Sequence, residues 1–414
     1  MIDSSRKDLP VQPNGRHVLG IDVGQRVHAA AAITATGHHF GRSICFDNNR
    51  AGVERLEQLL LQPLGGPASV LIGMEATGHY WMPLFFELKR RGYDVIVINP
   101  IQTRGEFRGR IRKTKTDKLD ARSIADLVLK GKAKAARVPS ASVLELRLLT
   151  RHRWRLTGLC GDLERFAQSL IERLFPEYPE ILCKPLLPTG RALIRELGLS
   201  PATLASQPEQ VSTLILRVSR KMVAPQKVRL LLASAQNSIG IARAESVLIA
   251  QLRSVLSLIE TLEAQISALD QELEQRLKTL NSPLPSLGIH APLAATIHAE
   301  SDPISDFRRP WQYAAYAGLD PSTNESGNFR GSHNHISKRG SPYLRLAFFL
   351  AASGLYRRHR QLQRLYQRSR KAGHHHTDAL VIVAHKLARI VWRLLTDNRP
   401  FRANAPKLTA ATAR

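Results

Sequence analysis

The strongest constraint in this chain is a change of apolar period near residue 140. Before it, the apolar residues come in short runs. Val18–Val23 and Val27–Thr34 are separated by Gly24-Gln25-Arg26, a strand–turn–strand signal with a third strand near Ser43–Phe46. Residues 69–75 and 93–99 are further buried-strand patterns. Val53, Leu56, Leu59 and Leu60 within 50–62 and the segment Tyr80–Arg91 carry helical spacing between them. Three meandering strands followed by alternating helix and strand predict an α/β domain with a mixed sheet. After residue 140 the period becomes helical. Leu252, Val255, Ile259, Leu262, Ile266, Leu269, Leu273 and Leu280 follow three-and-four spacing, broken once at Arg276. Such heptads read as a coiled coil or long hairpin helix, with an internal hairpin and an intermolecular seam both open. Asn281–Gly288 breaks the helix. Short helices are expected over 289–320, a polar Gly- and Ser-rich loop over 321–342, and helices over 342–371 and 378–396.

Charge narrows the partner. The 414 residues hold 60 Lys and Arg against 34 Asp and Glu, a formal net charge of +26. A polyanion is the natural counterpart, with nucleic acid first and an acidic membrane surface second. The basic segments lack a Trp- and Leu-rich apolar face, and no apolar run reaches 18 residues, so a membrane role is disfavoured. The first residues lack a secretory apolar stretch, and Cys45, Cys160 and Cys183 make neither a disulfide framework nor a zinc box. A reducing cytoplasm is the expected setting.

Two constellations carry chemistry. Asp22 and Glu75 end predicted strands, and Asp117 and Asp120 lie three apart at a predicted helix start, facing one side. Carboxyl ends of strands are where α/β sites form. Four converging carboxylates repel unless a divalent cation lies between them, and hard oxygen ligands suit Mg²⁺ or Mn²⁺. Two such ions can clamp the attacking and leaving oxygens of a phosphodiester. Taken singly, Asp117 reads as a helix cap and Asp22 as a turn former. Glu75 in an apolar strand needs a partner. A strand-borne Asp, then Gly and a second strand, is similar to the opening of the ribonuclease-H-like fold.

The second constellation is 315–345. From Ser326 to Thr377 there are eleven Lys and Arg and no acidic residue. Ser326 precedes Gly327, with Arg330, Lys338, Arg339 and Arg345 nearby. A serine among guanidiniums can serve as a nucleophile towards phosphorus, because the cations stabilise the charged transition state. The plainer alternative is a phosphate-binding loop in which the serine donates a hydrogen bond. Ser322 and Ser332 are rival nucleophiles. His374-His375-His376 reads as a nucleic-acid-facing loop rather than a metal tract.

Together these motifs resemble the insertion-sequence transposases of the family numbered one hundred and ten, RNA-guided DNA recombinases. Ile21–Gly24, Met74–Gly78 and Lys115–Ala121 resemble its Asp-Glu-Asp-Asp signature on a RuvC-like domain. Ala317–Pro321, Glu325–Gly327, Ile336–Gly340 and Tyr343–Arg345 resemble its C-terminal transposase domain. The resemblance spans about residues 17–395. Asn328 stands where a second glycine is usual, the turn at 286–290 is altered, and Asp320 replaces an apolar residue.

The resemblance implies an RNase H/RuvC-like mixed-sheet catalytic domain (17–140) behind a polar lead (1–16). A helical coiled-coil middle (141–280), a mainly helical transposase domain (281–400) and a tail (401–414) follow. It implies Asp22, Glu75, Asp117 and Asp120 as the Mg²⁺-binding tetrad and Ser326 as the nucleophile of a covalent phosphoserine intermediate. A noncoding bridge RNA would pair with donor and target DNA. Arg104, Arg108, Arg110, Arg112, Lys113 and Lys115 are candidates to hold its backbone, within a segment (101–137) of twelve Lys and Arg against four acids. A dimer or tetramer, and a bacterial cytoplasm beside the nucleoid, complete the expectation. Two other readings stay open: a junction-resolving nuclease using the carboxylates alone, and a nucleic-acid-binding protein without catalysis.

Overall fold

The computed structural model describes residues 11–76, 78–99, 117–136, 138–182, 184–220, 222–321, 325–326, 329–330, 336–338 and 340–402. The chain forms two compact units: residues up to 140 together with 302–308, and 141–301 together with the chain from 309 onward.

The first unit is built on a five-stranded mixed sheet. Its strands are β1 (His17–Asp22), β2 (Val27–Ile33), β3 (His39–Asp47), β4 (Val70–Glu75) and β5 (Asp94–Ile98). They lie in the order β3-β2-β1-β4-β5, with β1–β2 and β2–β3 antiparallel and β1–β4 and β4–β5 parallel. Helix α1 (Arg50–Leu56) is capped by Asn49, whose side chain accepts from the Gly52 N–H at 2.8 Å. The single helix expected over 50–62 divides here: Glu57–Leu61 forms a π turn, closed by Gln62 N–H donating to Glu57 O at 2.8 Å. Helix α2 (Trp81–Arg90) follows β4.

Alternation sorts the strands into two faces. Leu19, Ile21, Ile72, Met74, Val95 and Val97 join Val53, Leu56, Leu84 and Leu88 in one core. Val18, Leu71, Ile96 and Ile98 join Ile124, Leu127 and Val128 of α3 (Asp117–Leu129) in the other. Small residues let α3 lie directly on the sheet. A Cβ at Gly20 would stand 2.1 Å from Ala121 O and 2.5 Å from Ala125 N, so only glycine fits. Its paired neighbour Gly73 makes room for Val128.

The second unit is mostly helical. A long helix, α4 (Ala141–Leu174), is followed by α5 (Tyr178–Ile181), α6 (Pro188–Leu197), α7 (Pro201–Ser206), α8 (Pro208–Ser219) and α9 (Pro225–Gln236). Proline opens α6 through α9, which explains the short segments, since its missing N–H costs nothing at a helix start. The heptad segment becomes α10 (Glu245–Thr279), longer than expected at its start. It runs antiparallel to α4, as the ion pairs Arg276–Glu145 and Arg153–Asp270 require. Leu252, Val255 and Ile259 are buried in the core that α4 helps to build. Of the two readings of the heptads, the internal hairpin therefore accounts for these positions. Arg276, the residue that breaks the pattern, pairs with Glu145 and Glu272.

The remainder comprises α11 (Ala291–Ser301), α12 (Pro310–Tyr316), the strands β6 (Glu325–Ser326) and β7 (Phe329–Arg330), and helices α13 (Pro342–Leu355), α14 (Arg360–Lys371) and α15 (His376–Asp397). The helix expected over 342–371 is two. Gly354 weakens its last turn, and Arg357 and Arg360 would stack like charges one turn apart. Tyr313 and Phe348 meet edge-on at 5.9 Å in the local core. Among the described residues, no helix is long and apolar enough to cross a membrane.

Candidate active site

The sheet brings Asp22 and Glu75 to one place. Ile21 pairs with Met74 in parallel register, so Asp22 and Glu75 follow as the next residues of adjacent strands, at their carboxyl ends. Asp22 lies two residues beyond Gly20, and Glu75 two beyond Gly73, so both stand on the α3 face. Both are half-buried. The third position arrives through the small-residue contact. Ala121 packs against Ala29 and Ala31, the β2 partners of Asp22 and Gly20. Asp120, immediately before Ala121, is 6 % exposed. Asp22 and Glu75 thus share one end and one face of the sheet, and Asp120 lies on the helix packed against that face. Asp117 is the first residue of α3, and its side chain lies outside the described residues. So do Arg104, Arg108, Arg110, Arg112, Lys113, Lys115 and Arg339, together with Ser322 and Ser332.

A different group has the tightest ligand geometry. Among the described residues, Cys160, Glu164 and Glu263 offer three ligand atoms within 4.8 Å of one another. This group belongs to the helical unit, not to the tetrad. Arg191 donates to both Glu263 oxygens at 2.6 and 2.7 Å, which already compensates its charge. Burial pushes the Cys160 thiol up, away from the thiolate that a metal would need. These residues tie α4, α6 and α10 together.

Ser326 stands in β6, paired with Phe329 of β7, with Gly327 and Asn328 between them. The segment expected to be an irregular loop therefore holds a two-stranded ribbon, and an antiparallel bridge between Pro321 and Ile336 closes it further down. The base is pinned by side chains. Ser337 donates to Asp320 Oδ1 at 2.5 Å, and its N–H to Asp320 O at 2.9 Å. Asp320, the residue that departs from the family pattern, thus has a definite role here. Gly340 has a φ of +87°, and a Cβ there would meet Tyr316 O at 1.8 Å.

Beyond it, Ser341 caps α13 by accepting from Leu344 N–H at 3.3 Å and donates to Glu300 Oε2 at 3.0 Å. Glu300 is 1 % exposed and takes a bidentate pair from Arg151 at 2.7 and 3.1 Å. The Arg151 guanidinium also lies over the Tyr343 ring at 5.0 Å. Sequence reading missed Arg151 and Glu300. The signal available was a single acid, Glu300, inside the apolar run of 291–301, which burial obliges to find a partner. Lys338 is exposed. Arg345 is half-buried on the first turn of α13, and its Nη1 has no hydrogen-bond partner among the described residues.

Two stretches of the chain match known proteins separately, one running from the sheet with its strand-end carboxylates through α4, the other holding the serine ribbon. A model described as transposase matches residues 19–176, and one described as transposase of the IS116/IS110/IS902 family matches 285–367. The chain is a transposase, an enzyme that cuts and rejoins DNA. It is 25 % identical over 410 residues to a 44.8 kDa protein of insertion element IS116 from Streptomyces clavuligerus, covering 94 % of this chain and 97 % of that one. It is 24 % identical over 418 residues to a 42 kDa protein of insertion element IS900 from Mycobacterium paratuberculosis, covering 95 % and 98 %. A shorter match, 30 % identical over 147 residues and 35 % of each chain, links it to a 43.6 kDa protein of insertion element IS110 from Streptomyces coelicolor. The chain belongs to the IS110 family of insertion-sequence transposases.

Proposed function

We propose that this transposase joins donor and target DNA through a covalent phosphoserine at Ser326, assisted by Asp22, Glu75, Asp117 and Asp120 and guided by a bridge RNA. The observation that carries the reading is the pairing of the two matched segments: one contains the four carboxylates, the other contains Ser326 in its cationic ribbon. On this reading the sheet unit is the RuvC-like catalytic domain, and 281–400 is the transposase domain, joined by the helical region 141–280.

The donor set fits a hard divalent cation. It is made only of carboxylate oxygens, drawn from three elements at the end of one sheet face, and Asp120 is held out of water. When bound, Mg²⁺ or Mn²⁺ would supply charge stabilisation at the phosphodiester. Ser326 Oγ forms the new bond to phosphorus as the deoxyribose oxygen leaves and takes up a proton. A hydroxyl of the exchanged strand then attacks the same phosphorus and releases the serine. Arg330, Lys338, Arg339 and Arg345 hold the phosphate, and the buried Nη1 of Arg345 supports that role. Arg104, Arg108, Arg110, Arg112, Lys113 and Lys115 hold the RNA by its phosphates. Two DNA partners need more than one serine, so the working form is a dimer or tetramer, acting on DNA in the cytoplasm beside the nucleoid.

Covalent trapping tests this. Purified protein is mixed with its element's RNA, labelled donor and target DNA and Mg²⁺, then denatured and resolved on a gel. A labelled adduct that Ser326→Ala and Asp22→Ala both abolish supports the reading. Free cut DNA without an adduct, unaffected by Ser326→Ala but lost with Asp22→Ala, would establish the carboxylate nuclease instead. Binding with no strand change under any condition would leave a nucleic-acid-binding protein.

A further inference from the structure

The C-terminal half of α15 and the chain after it enclose a groove of about 830 Å³, within the range of ligand sites. Apart from Pro310, its lining lies beyond residues 285–367, outside both family matches. Lys386, Arg389, Ile390, Arg393 and Leu394 recur at three-and-four spacing, so one face of α15 forms the floor. Asn398 then takes a left-handed φ of +46° and turns the chain back over the helix end. The returning segment places Phe401 as a wall. Its N–H donates to Ser286 Oγ at 2.7 Å, and its ring meets His359 edge-on at 5.4 Å. Trp392 also lines the groove.

The rim is one-sided in charge. Lys386, Arg389, Arg393, Arg399 and Arg402 surround the groove against one acid, Asp397. Asp397 is already taken by Arg393 at 2.7 Å. Arg393 can be explained by that pair. Lys386, Arg389, Arg399 and Arg402 have no ion-pair partner among the described residues, and all four are exposed. Self-repulsion of this kind is sustained when an anion sits between the charges. The occupant must therefore present negative charge to the rim and a flat apolar surface to Trp392, Ile390 and Phe401. A nucleotide meets both demands, with phosphates on the guanidiniums and a base on the aromatic side chains. A paired base cannot, because its faces are stacked on its neighbours. The chain's own tail fails on charge: residues 403–414 hold Lys407 and Arg414 and no acid.

We infer that this groove binds an unpaired nucleotide of single-stranded nucleic acid, a contact separate from the phosphate contacts around Ser326. The inference rests on the proposed function only in that the chain handles nucleic acid.

Fluorescence anisotropy with full-length protein tests it, using labelled 12-nucleotide oligouridylate, oligothymidylate and a 12-base-pair duplex. The exposed double substitution Arg389→Gln with Arg399→Gln should weaken single-strand binding about tenfold, with a fall of about 1.4 in the slope of log affinity against log salt, roughly 0.7 per lost phosphate contact. Duplex binding should change less than twofold. Trp392→Ala should also cost about tenfold, while Trp392→Phe keeps most of the affinity, because stacking needs only the ring. If Trp392→Ala fails to fold, the arginine pair still decides the matter.

Equal losses for single strand and duplex would reduce the groove to general charge and overturn the inference, as would no change at all. Full displacement of the oligonucleotides by millimolar uridine monophosphate would overturn the strand in favour of a free nucleotide. Tighter binding after deletion of 403–414 would make the tail the occupant. Ser326→Ala should leave every one of these affinities unchanged. A missing adduct with intact groove effects would therefore count against the serine mechanism alone, and the reverse against the groove alone.

Discussion

The carboxylate end of the sheet unit and the serine ribbon of the helical unit hold their candidate residues in opposite ways. Asp22 and Glu75 inherit their positions from strand register, and Asp120 from a helix whose backbone touches the sheet at Gly20. Strand register and this close main-chain approach set where the three residues stand. Ser326 stands on a ribbon of two-residue strands, and what fixes its base is a set of polar side-chain links: Asp320 with Ser337, and Glu300 with Arg151 and Ser341. The proposed metal-assisted step would need several charges kept at set separations, which regular elements provide. On the proposed mechanism, a serine that bonds to phosphorus and is then released would sit on a short ribbon anchored at one end. The two sites should therefore fail differently when damaged.

The largest expected effect is in the sheet unit. Gly20→Val must push the α3 backbone off β1, since even its Cβ would meet Ala121 O at 2.1 Å. We expect a loss of 3 kcal/mol or more, above the usual overpacking penalty of about 1–3 kcal/mol because no side chain can yield, read as loss of the cooperative unfolding transition. Gly73→Ala sharpens the point. Its nearest atom is Val128 Cγ2 at 2.7 Å, a side-chain methyl and not main chain. About 1 kcal/mol is expected there. Equal costs at the two positions would show that main-chain contact does not set the site.

In the helical unit the largest effect should come from a salt bridge. Arg151→Ala leaves the Glu300 carboxylate buried without its bidentate partner. Loss of one partner from a buried pair costs about 3–5 kcal/mol. Arg151 is 43 % exposed, so a value near 3 kcal/mol is expected. Arg151→Ala combined with Glu300→Gln should recover much of the loss, because the stranded charge is gone. Chemical denaturation would measure both. A smaller effect, about 1 kcal/mol, is expected for Ser337→Ala, which removes one hydrogen bond at the ribbon base. Covalent adduct yield should fall further than that stability loss implies. A yield that simply tracks stability would show that the anchor supports the fold and not the serine.

The sheet site was the more legible in sequence for the same physical reason. Strand period, terminal carboxylates and the three-residue spacing of Asp117 and Asp120 are local patterns, and register then aligns what each strand carries. The heptads of 252–280 were equally plain, but their partner was not, because α4 lies about a hundred residues earlier and the choice between self and another copy is tertiary. The π turn after Leu56 and the break before Arg360 have no strong punctuation beyond Gly354. Arg151 and Glu300 were invisible as a pair, since 149 residues separate them. The groove at Trp392 went unread because helix periodicity assigns Ile390 and Leu394 to a core face, and only the return of the chain at Asn398 shows that part of that face is open.

A last difference between the units lies in their response to acid. His28 in β2 is 1 % exposed, tilted against Phe46 at 5.1 Å. Burial holds its imidazole below the ordinary value of 6.5, and Asn48 offsets only part of this. The neutral ring is thus favoured in the folded state, and the unfolded chain binds the extra proton. Stability from this group is complete above pH 6.5 and declines as the pH falls through the depressed folded value. Its slope cannot exceed about 1.4 kcal/mol per pH unit, the limit for one proton. His28→Leu should flatten the acid limb of the sheet unit's stability between pH 6.5 and 5, followed through exchange of the β1 and β2 amides. The α4–α10 hairpin is cross-linked by the pairs Arg153–Asp270 and Arg276–Glu145, and α10 is tied to α6 by Arg191–Glu263, which holds the Glu263 carboxyl below its usual range. The hairpin amides should keep their protection through that window. Simultaneous loss of protection in both units above pH 5 would show that they unfold as one body and erase the distinction.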